Sequence, residues 1–170
     1  YMYMYTHPGK KLNFMGNEIA QFREWDEKRE QDWQLIKIPL HDAFNKYIKR
    51  LNEVYDNYEA LYKNEYDSSY FKWLEVNAPE KSVYIYERGR SDHRIIVALN
   101  FSDNEYAPFT FKVEEELRLR EIVNSDSDIY GGSTWGMKSD VTTTKEDNYL
   151  YNLSINLKPF SGIIYEVVND

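Results

Sequence analysis

Apolar side chains recur at three- and four-residue steps at Phe44, Tyr47, Ile48, Leu51, Val54, Tyr58, Leu61 and Tyr62. That spacing predicts one face of an α-helix over residues 41–64, with Lys46, Lys49, Arg50, Glu53, Asp56 and Asn57 on the other face. Asp42 is placed to cap it, its carboxylate accepting first-turn N–H groups. About 20 residues at ~1.5 Å each make a helix of roughly 30 Å, which needs a large packing partner. From residue 71 the period drops to two. Strands are predicted over 71–76, 82–88, 94–101, 108–113, 117–123, 150–157 and 162–168, with turns at 77–80 and 89–92. Short strands punctuated by turn residues point to an antiparallel β-sandwich. Residues 124–148, with Gly131, Gly132 and Gly136, read as a long irregular loop.

Upstream of the helix the pattern is sparser. Leu12, Phe14 and Met15 follow Lys10 and Lys11 and end at Gly16. They read as a buried strand of about four or five residues leading into a functional loop. His7-Pro8-Gly9 before it is a turn, because Pro fixes φ and Gly permits positive φ. Residues 1–6 would end a preceding helix or strand. Residues 16–39 show no period and carry a charged run from Asp26 to Asp32, the mark of a solvated loop. A boundary therefore falls near residue 65. Residues 1–65 are an α/β piece that cannot close a core alone, and residues 66–170 are an all-β domain.

Composition narrows the classes. The 170 residues carry 21 Lys and Arg against 29 Asp and Glu, a net charge of −8. Phosphate contacts need clustered cations, so no nucleic-acid partner is expected. Zero cysteines exclude disulfides, thiolate metal sites and Cys nucleophiles, and fit a reducing compartment. No apolar run approaches the ~20 residues of a membrane-spanning helix, so no membrane partner is expected. The opening Tyr1-Met2-Tyr3-Met4-Tyr5 lacks the basic start of a signal peptide. An opening on Tyr rather than Met suggests a fragment of a longer polypeptide.

His7, His41 and His93 are far apart and lack the spacing of metal ligands. Asp126-Ser127-Asp128 starts like a calcium loop without its later Gly and Glu, so no metal is expected. No phosphate-binding Gly motif and no GxSxG elbow occurs. Glu18, Glu24 and Asp26 follow the first predicted strand, and a carboxylate at the C-terminal end of a barrel strand is where catalytic groups lie. Glu18 is the most suggestive of them, against the alternative that it only braces loop amides. Sugars offer C–H faces and polar rims. Trp25 and Trp33 in their polar loop, and Trp135 in the Gly-rich stretch, suit such a ligand unless each seals its own loop. Trp73, in a strand, is read as packing.

The run His7-Pro8-Gly9-Lys10-Lys11-Leu12-Asn13-Phe14-Met15-Gly16-Asn17-Glu18-Ile19-Ala20-Gln21 resembles the strand-eight region of 1,4-α-glucan (glycogen) branching enzymes, members of the α-amylase superfamily. Arg23-Glu24-Trp25 and Asp32-Trp33 continue the likeness. Arg120-Glu121-Ile122-Val123-Asn124-Ser125-Asp126-Ser127 with Tyr130-Gly131-Gly132-Ser133 resembles a second family segment, and Asn100-Phe101 a strand end. Asn13 and Ile19 depart from the usual Leu and Phe. The likeness runs in order along nearly the whole chain.

The resemblance implies an α/β plus all-β fold. Residues 1–65 would be strand eight and the closing helix of a (β/α)₈ barrel, and residues 66–170 the C-terminal antiparallel β-sandwich. It implies a parent enzyme that cuts an α-1,4-glucan and transfers the released chain to a 6-hydroxyl, retaining configuration and using no cofactor. Retention takes two nearby carboxylates. The family's acids lie on earlier barrel strands, so this chain is expected to hold no catalytic residue and to be inactive alone. Asn17, Glu18, Gln21, Arg23, Trp25 and Trp33 are the expected glucan-contact residues. The expected partners are an α-glucan such as glycogen or amylose and the N-terminal part of the barrel, and the expected location is the cytoplasm. A non-catalytic glycan-binding module, or a piece of another α-amylase-family hydrolase, are the competing readings.

Overall fold

A computed structural model describes residues 1–76, 79–135, 140–147 and 149–168. Two helices precede nine described strands: α1 (Met2–Thr6), α2 (Pro39–Asn57), β1 (Phe71–Glu75), β2 (Val83–Arg90), β3 (His93–Asn100), β4 (Tyr106–Val113), β5 (Arg118–Asn124), β6 (Asp140–Thr142), β7 (Thr144–Lys145), β8 (Tyr151–Leu157) and β9 (Gly162–Val168). All pairings are antiparallel. One sheet has the order β1-β2-β3-β9-β5-β6 and the other β4-β8-β7.

Alternation along the strands explains the layers. On β2, Val83 and Ile85 face the second sheet, while Tyr86 faces the helices. β3 is buried on both faces: Ile96 and Ala98 pack between the sheets, and Ile95, Val97 and Leu99 pack under the helices. A strand covered on both sides has no polar face to keep, which is why it reads as a continuous apolar run. Ile48, Leu51 and Val54 of α2 bury against the larger sheet together with Met2 and Tyr5 of α1. The helical segment and the sandwich thus share one core layer.

That layer is held by a buried arginine. Arg88 is 0% exposed. Its Nη1 donates to the Thr6 carbonyl at 2.5 Å and its Nη2 to the Leu61 carbonyl at 3.3 Å. Tyr86, two residues earlier on the same face, meets Thr6 Oγ1 at 2.5 Å. Thr6 spends its own proton on the Met2 carbonyl, so the tyrosine is the donor. A Cβ on Gly162 would come within 2.6 Å of Met2 Sδ and 2.7 Å of Leu99 Cδ2, so a larger residue there would have to displace both side chains.

Several sequence expectations need correction. No described strand spans residues 10–15; the backbone there is irregular and Leu12 is 77% exposed. A strand needs a hydrogen-bonded neighbour, and none adjoins it here. Residues 1–6 resolve as a helix. α2 begins at Pro39, whose missing N–H costs nothing in the first turn, so Ile38 is the cap. Asp42 sits inside that turn and pairs with Lys46 at 2.7 Å. The helix stops at Asn57 and a 3₁₀ turn, Glu59–Leu61, carries the later apolar positions. The β2–β3 turn falls at Ser91 and Asp92, with Gly89 inside β2. The predicted loop over 124–148 contains the short strands β6 and β7. Asn77, Ala78, Gly136 and Asn148 lie outside the described residues.

Two outcomes follow from this packing. Arg88→Ala should lower unfolding free energy in urea by about 3 kcal/mol, since it strips two buried carbonyls of a charged donor and leaves a void, while Arg90→Ala should change it by under about 0.5 kcal/mol. Lys11 donates to the His7 carbonyl at 2.6 Å, and its pKa is drawn down to about 8 by burial first and then by Arg88 and Lys10. Between pH 8 and the ordinary lysine range the unfolded chain binds the extra proton, so stability should rise with pH across that window. Denaturant titrations at several pH values should show the rise, and Lys11→Met should flatten it.

Candidate functional site

The loop between residues 14 and 33 is built by short-range backbone bonds. Gly16 has φ +86° and its carbonyl accepts from both Ile19 and Gln21 N–H, at 3.2 and 3.0 Å. Any Cβ there would press on Gln21 at 3.0 Å. A 3₁₀ turn, Asn17–Ile19, follows, and buries Ile19 completely. Helix α2 supplies the anchors. His41 Nδ1 meets the Ile19 carbonyl at 2.7 Å, and Asn45 Nδ2 donates to the Glu18 carbonyl at 2.9 Å. Positions 41, 45 and 48 form one stripe of α2, so the polar N-terminal end of the buried face grips the loop and the apolar remainder grips the sheet.

Further out, Gln21 spans the loop: Nε2 donates to the Arg23 carbonyl at 2.9 Å, and Oε1 accepts from Asp32 N–H at 2.8 Å. Arg23 donates to the Glu24 and Glu30 carbonyls and reaches Asp32 Oδ1 at 3.3 Å. The charged run is thereby folded back on the segment before it. Trp25 is 44% exposed and stands edge-on to Phe14, ring centroids 5.8 Å apart.

Asn17, Gln21, Arg23 and Trp25 line one open cavity of about 430 Å³, with Phe14 and Phe22 completing its apolar side. Arg23 and Trp25 also line an adjoining depression with Glu24 and Asp26. Glu18 and Trp33 are not among the residues lining either. The Glu18 carboxylate lies toward Tyr1 and Tyr5; burial first, then this charge, pushes the Tyr1 phenol up, with the same carboxylate a lesser contributor at Tyr5. Trp33 opens a separate 3₁₀ turn, Trp33–Lys37. The site is polar at its floor, aromatic at its wall and open to solvent. Phe14 and Phe22 were not singled out from sequence as site residues, because apolar residues near a predicted strand read as core. His41 and Asn45 were missed as loop anchors because a polar residue on a helix carries no mark of what it grips. Trp135 is 82% exposed, in a different region of the chain. Among the described residues no group of three or more His, Asp or Glu could hold a metal ion.

Residues 73–168 match the model of the alpha amylase C-terminal all-beta domain, and the chain belongs to that family. Within it, the similarity is to 1,4-alpha-glucan branching enzymes. That of Oceanobacillus iheyensis is 42% identical over 135 residues, covering 78% of this chain and 21% of that protein. That of Salinibacter ruber is 35% identical over 168 residues, covering 98% of this chain and 27% of that protein. That of Clostridium perfringens is 38% identical over 170 residues, covering 96% of this chain and 25% of that protein. The chain thus spans about a quarter of the length of the curated relatives it matches. An α-amylase structure from Geobacillus thermoleovorans shares the fold over 99% of this chain and 32% of that one, with a TM-score of 0.63 at 16% identity. A debranching-enzyme structure from Nostoc punctiforme does so over 97% and 29%, also at 0.63 and 16%.

His41→Ala should free the Ile19 carbonyl and lower stability by about 1–2 kcal/mol. The same variant should shift Trp25 fluorescence and speed proteolysis between residues 20 and 33; unchanged emission and cleavage would mean that the loop holds itself.

Proposed function

We propose that the chain is the C-terminal part of a 1,4-α-glucan branching enzyme. In this reading residues 1–65 finish a catalytic (β/α)₈ barrel and residues 66–170 form the sandwich that follows it. The parent cuts an α-1,4-glucan and moves the released chain to a 6-hydroxyl, making an α-1,6 branch in a cytoplasmic glucan such as glycogen. The observation that carries the reading is identity of 35% over 98% of the chain to a branching enzyme, an extent that takes in both sides of the proposed boundary at residue 65.

The exposed apolar surface supports it. Leu12, Phe14, Met15, Phe22 and Leu40 all stand in solvent on the segment assigned to the barrel. A barrel strand at residues 10–15 would take its backbone partners from neighbours outside this chain, and those neighbours would cover Leu12. The loop with Asn17, Gln21, Arg23 and Trp25 follows that strand, on the side where barrel enzymes build their sites. Glu18 and Trp33 join the glucan contacts in this reading only through the remainder of the barrel. No helix among the described residues is long and apolar enough to cross a membrane.

Retaining transfer takes a nucleophile and an acid/base about 5–5.5 Å apart. Those acids belong to earlier barrel strands, so this chain alone should form no α-1,6 linkages from amylose. In the full-length enzyme, Trp25→Ala and Gln21→Ala should each lower kcat/KM for amylose at least about fivefold, the scale of one lost stacking or hydrogen-bond contact. Melting temperature should move little for Trp25→Ala. Debranching analysis of the product measures the transfer. Full transfer with a large fall in melting temperature would assign these side chains to packing.

A further inference from the structure

Residues 124–134 form the turn after β5, and it is locked from within. Its base is tied to β9: Ser125 N–H donates to the Gly162 carbonyl at 2.9 Å, and Gly162 N–H donates to Ser125 Oγ at 2.8 Å. Asp126 then closes the turn. Its carboxylate accepts from Ser133 N–H at 3.2 Å, from Ser133 Oγ at 2.8 Å and from Thr134 Oγ1 at 2.7 Å. Its carbonyl accepts from Thr134 N–H at 2.8 Å. A Cβ on Gly132 would fall 2.1 Å from that carbonyl oxygen, so a glycine is what lets the two backbones pass this closely.

The tip of the turn lies on the start of α2. Tyr130 stands against Tyr47, ring centroids 5.4 Å apart, and packs on the core beneath the helix. Gly131 has φ +84°, and a Cβ built on it would meet Leu40 Cδ2 at 3.3 Å and Ala43 Cβ at 3.8 Å. Leu40, Ala43 and Tyr47 recur at three- and four-residue steps, so they form one stripe of α2. His41 and Asn45 form the neighbouring stripe, which holds the Ile19 and Glu18 carbonyls. The first turns of α2 are held by the sandwich through one stripe and hold the loop of residues 14–33 through the next.

We propose that the turn after β5 positions the loop of residues 14–33 for its glucan, with Asp126 and Gly131 as positioning residues that act through α2. The backbone bonds of a helix make its first turns move as a body. A shift of Leu40 and Ala43 therefore carries His41 and Asn45 with it, and these carry the backbone that leads to Gln21 and Trp25. Small misplacements of contact groups, made far from the reacting atoms, are costly to an enzyme. The sandwich in this way sets how well the loop receives its ligand. A glucan as that ligand rests on the branching-enzyme reading; the physical link from Asp126 to Ile19 does not.

Two arms test it. In this chain, Asp126→Ala should shift the NMR signal of the buried Ile19 δ-methyl. Asp126→Asn, whose amide can still meet Ser133 N–H and the two hydroxyls, should restore it. In the full-length enzyme, Asp126→Ala and Gly131→Ala should each raise KM for amylose about three- to tenfold with kcat within about twofold, the result of losing binding common to ground state and transition state. Asp126→Asn should return KM to within about twofold of the parent's. Val113→Ala, in the core between the sheets, should lower melting temperature and leave KM unchanged. An Ile19 signal unmoved by Asp126→Ala, an active enzyme whose KM is unmoved by it, or a KM that rises equally with Val113→Ala would overturn the proposal. A moved Ile19 signal, in a protein whose full-length form makes no α-1,6 linkages, would uphold the link and sink the branching reading instead.

Discussion

A single buried guanidinium joins the two halves of this molecule. Arg88 rises from the central region of the larger sheet and ends on carbonyls from two other segments, Thr6 at the end of α1 and Leu61 past the end of α2. Burying a charge is expensive unless its hydrogen bonds are met. The stretch from α1 to the end of α2 therefore has to lie where those carbonyls reach the arginine. The contact of Tyr86 with Thr6 Oγ1 and the packing of Met2 over Gly162 accompany the same placement. Once α2 is fixed on the sheet, its first turns are fixed too, and with them His41 and Asn45, which hold the loop at Glu18 and Ile19. The line from Arg88 to the cavity beside Trp25 is a chain of contacts: two carbonyls on the arginine, the apolar face of α2 on the sheet, and two loop carbonyls on His41 and Asn45.

The same arrangement separates what the chain completes from what it leaves open. The core beneath α2 and the core between the sheets are closed by residues of this chain. The segment from Lys10 to Leu40 is closed on its α2 side and bare on the other, with eight large apolar residues exposed, Leu12, Phe22 and Leu40 most of all. An apolar surface of that kind marks an interaction site. The proposal that neighbouring barrel strands cover it follows from that asymmetry together with the similarity to branching enzymes.

Much of this was legible in the sequence. The amphipathic face of α2, the alternation of β2 and the unbroken apolar run of β3 are direct imprints of one-sided and two-sided burial. What could not be read depends on neighbours. Residues 12–15 have the composition of a strand and none of its partners. β6 and β7 are three and two residues long, too short to show a period. Arg88 looked like the polar end of an alternating strand; its burial is set by two carbonyls distant in sequence. Within the candidate site, the loop and four of its six expected residues gathered around one cavity, whereas Glu18 and Trp33 did not, because the direction of a side chain in an irregular loop is set by tertiary bonds that leave no pattern.

The central claim is that α2 and the larger sheet are one cooperative unit, clamped through Arg88. Native-state hydrogen exchange on the chain measures this directly. The account predicts that the amides of α2 at Ile48–Val54 and those of β3 at Ile95–Leu99 open with the same free energy and the same denaturant dependence. Exchange of α2 through a separate, lower-energy opening while β3 stays protected would contradict it.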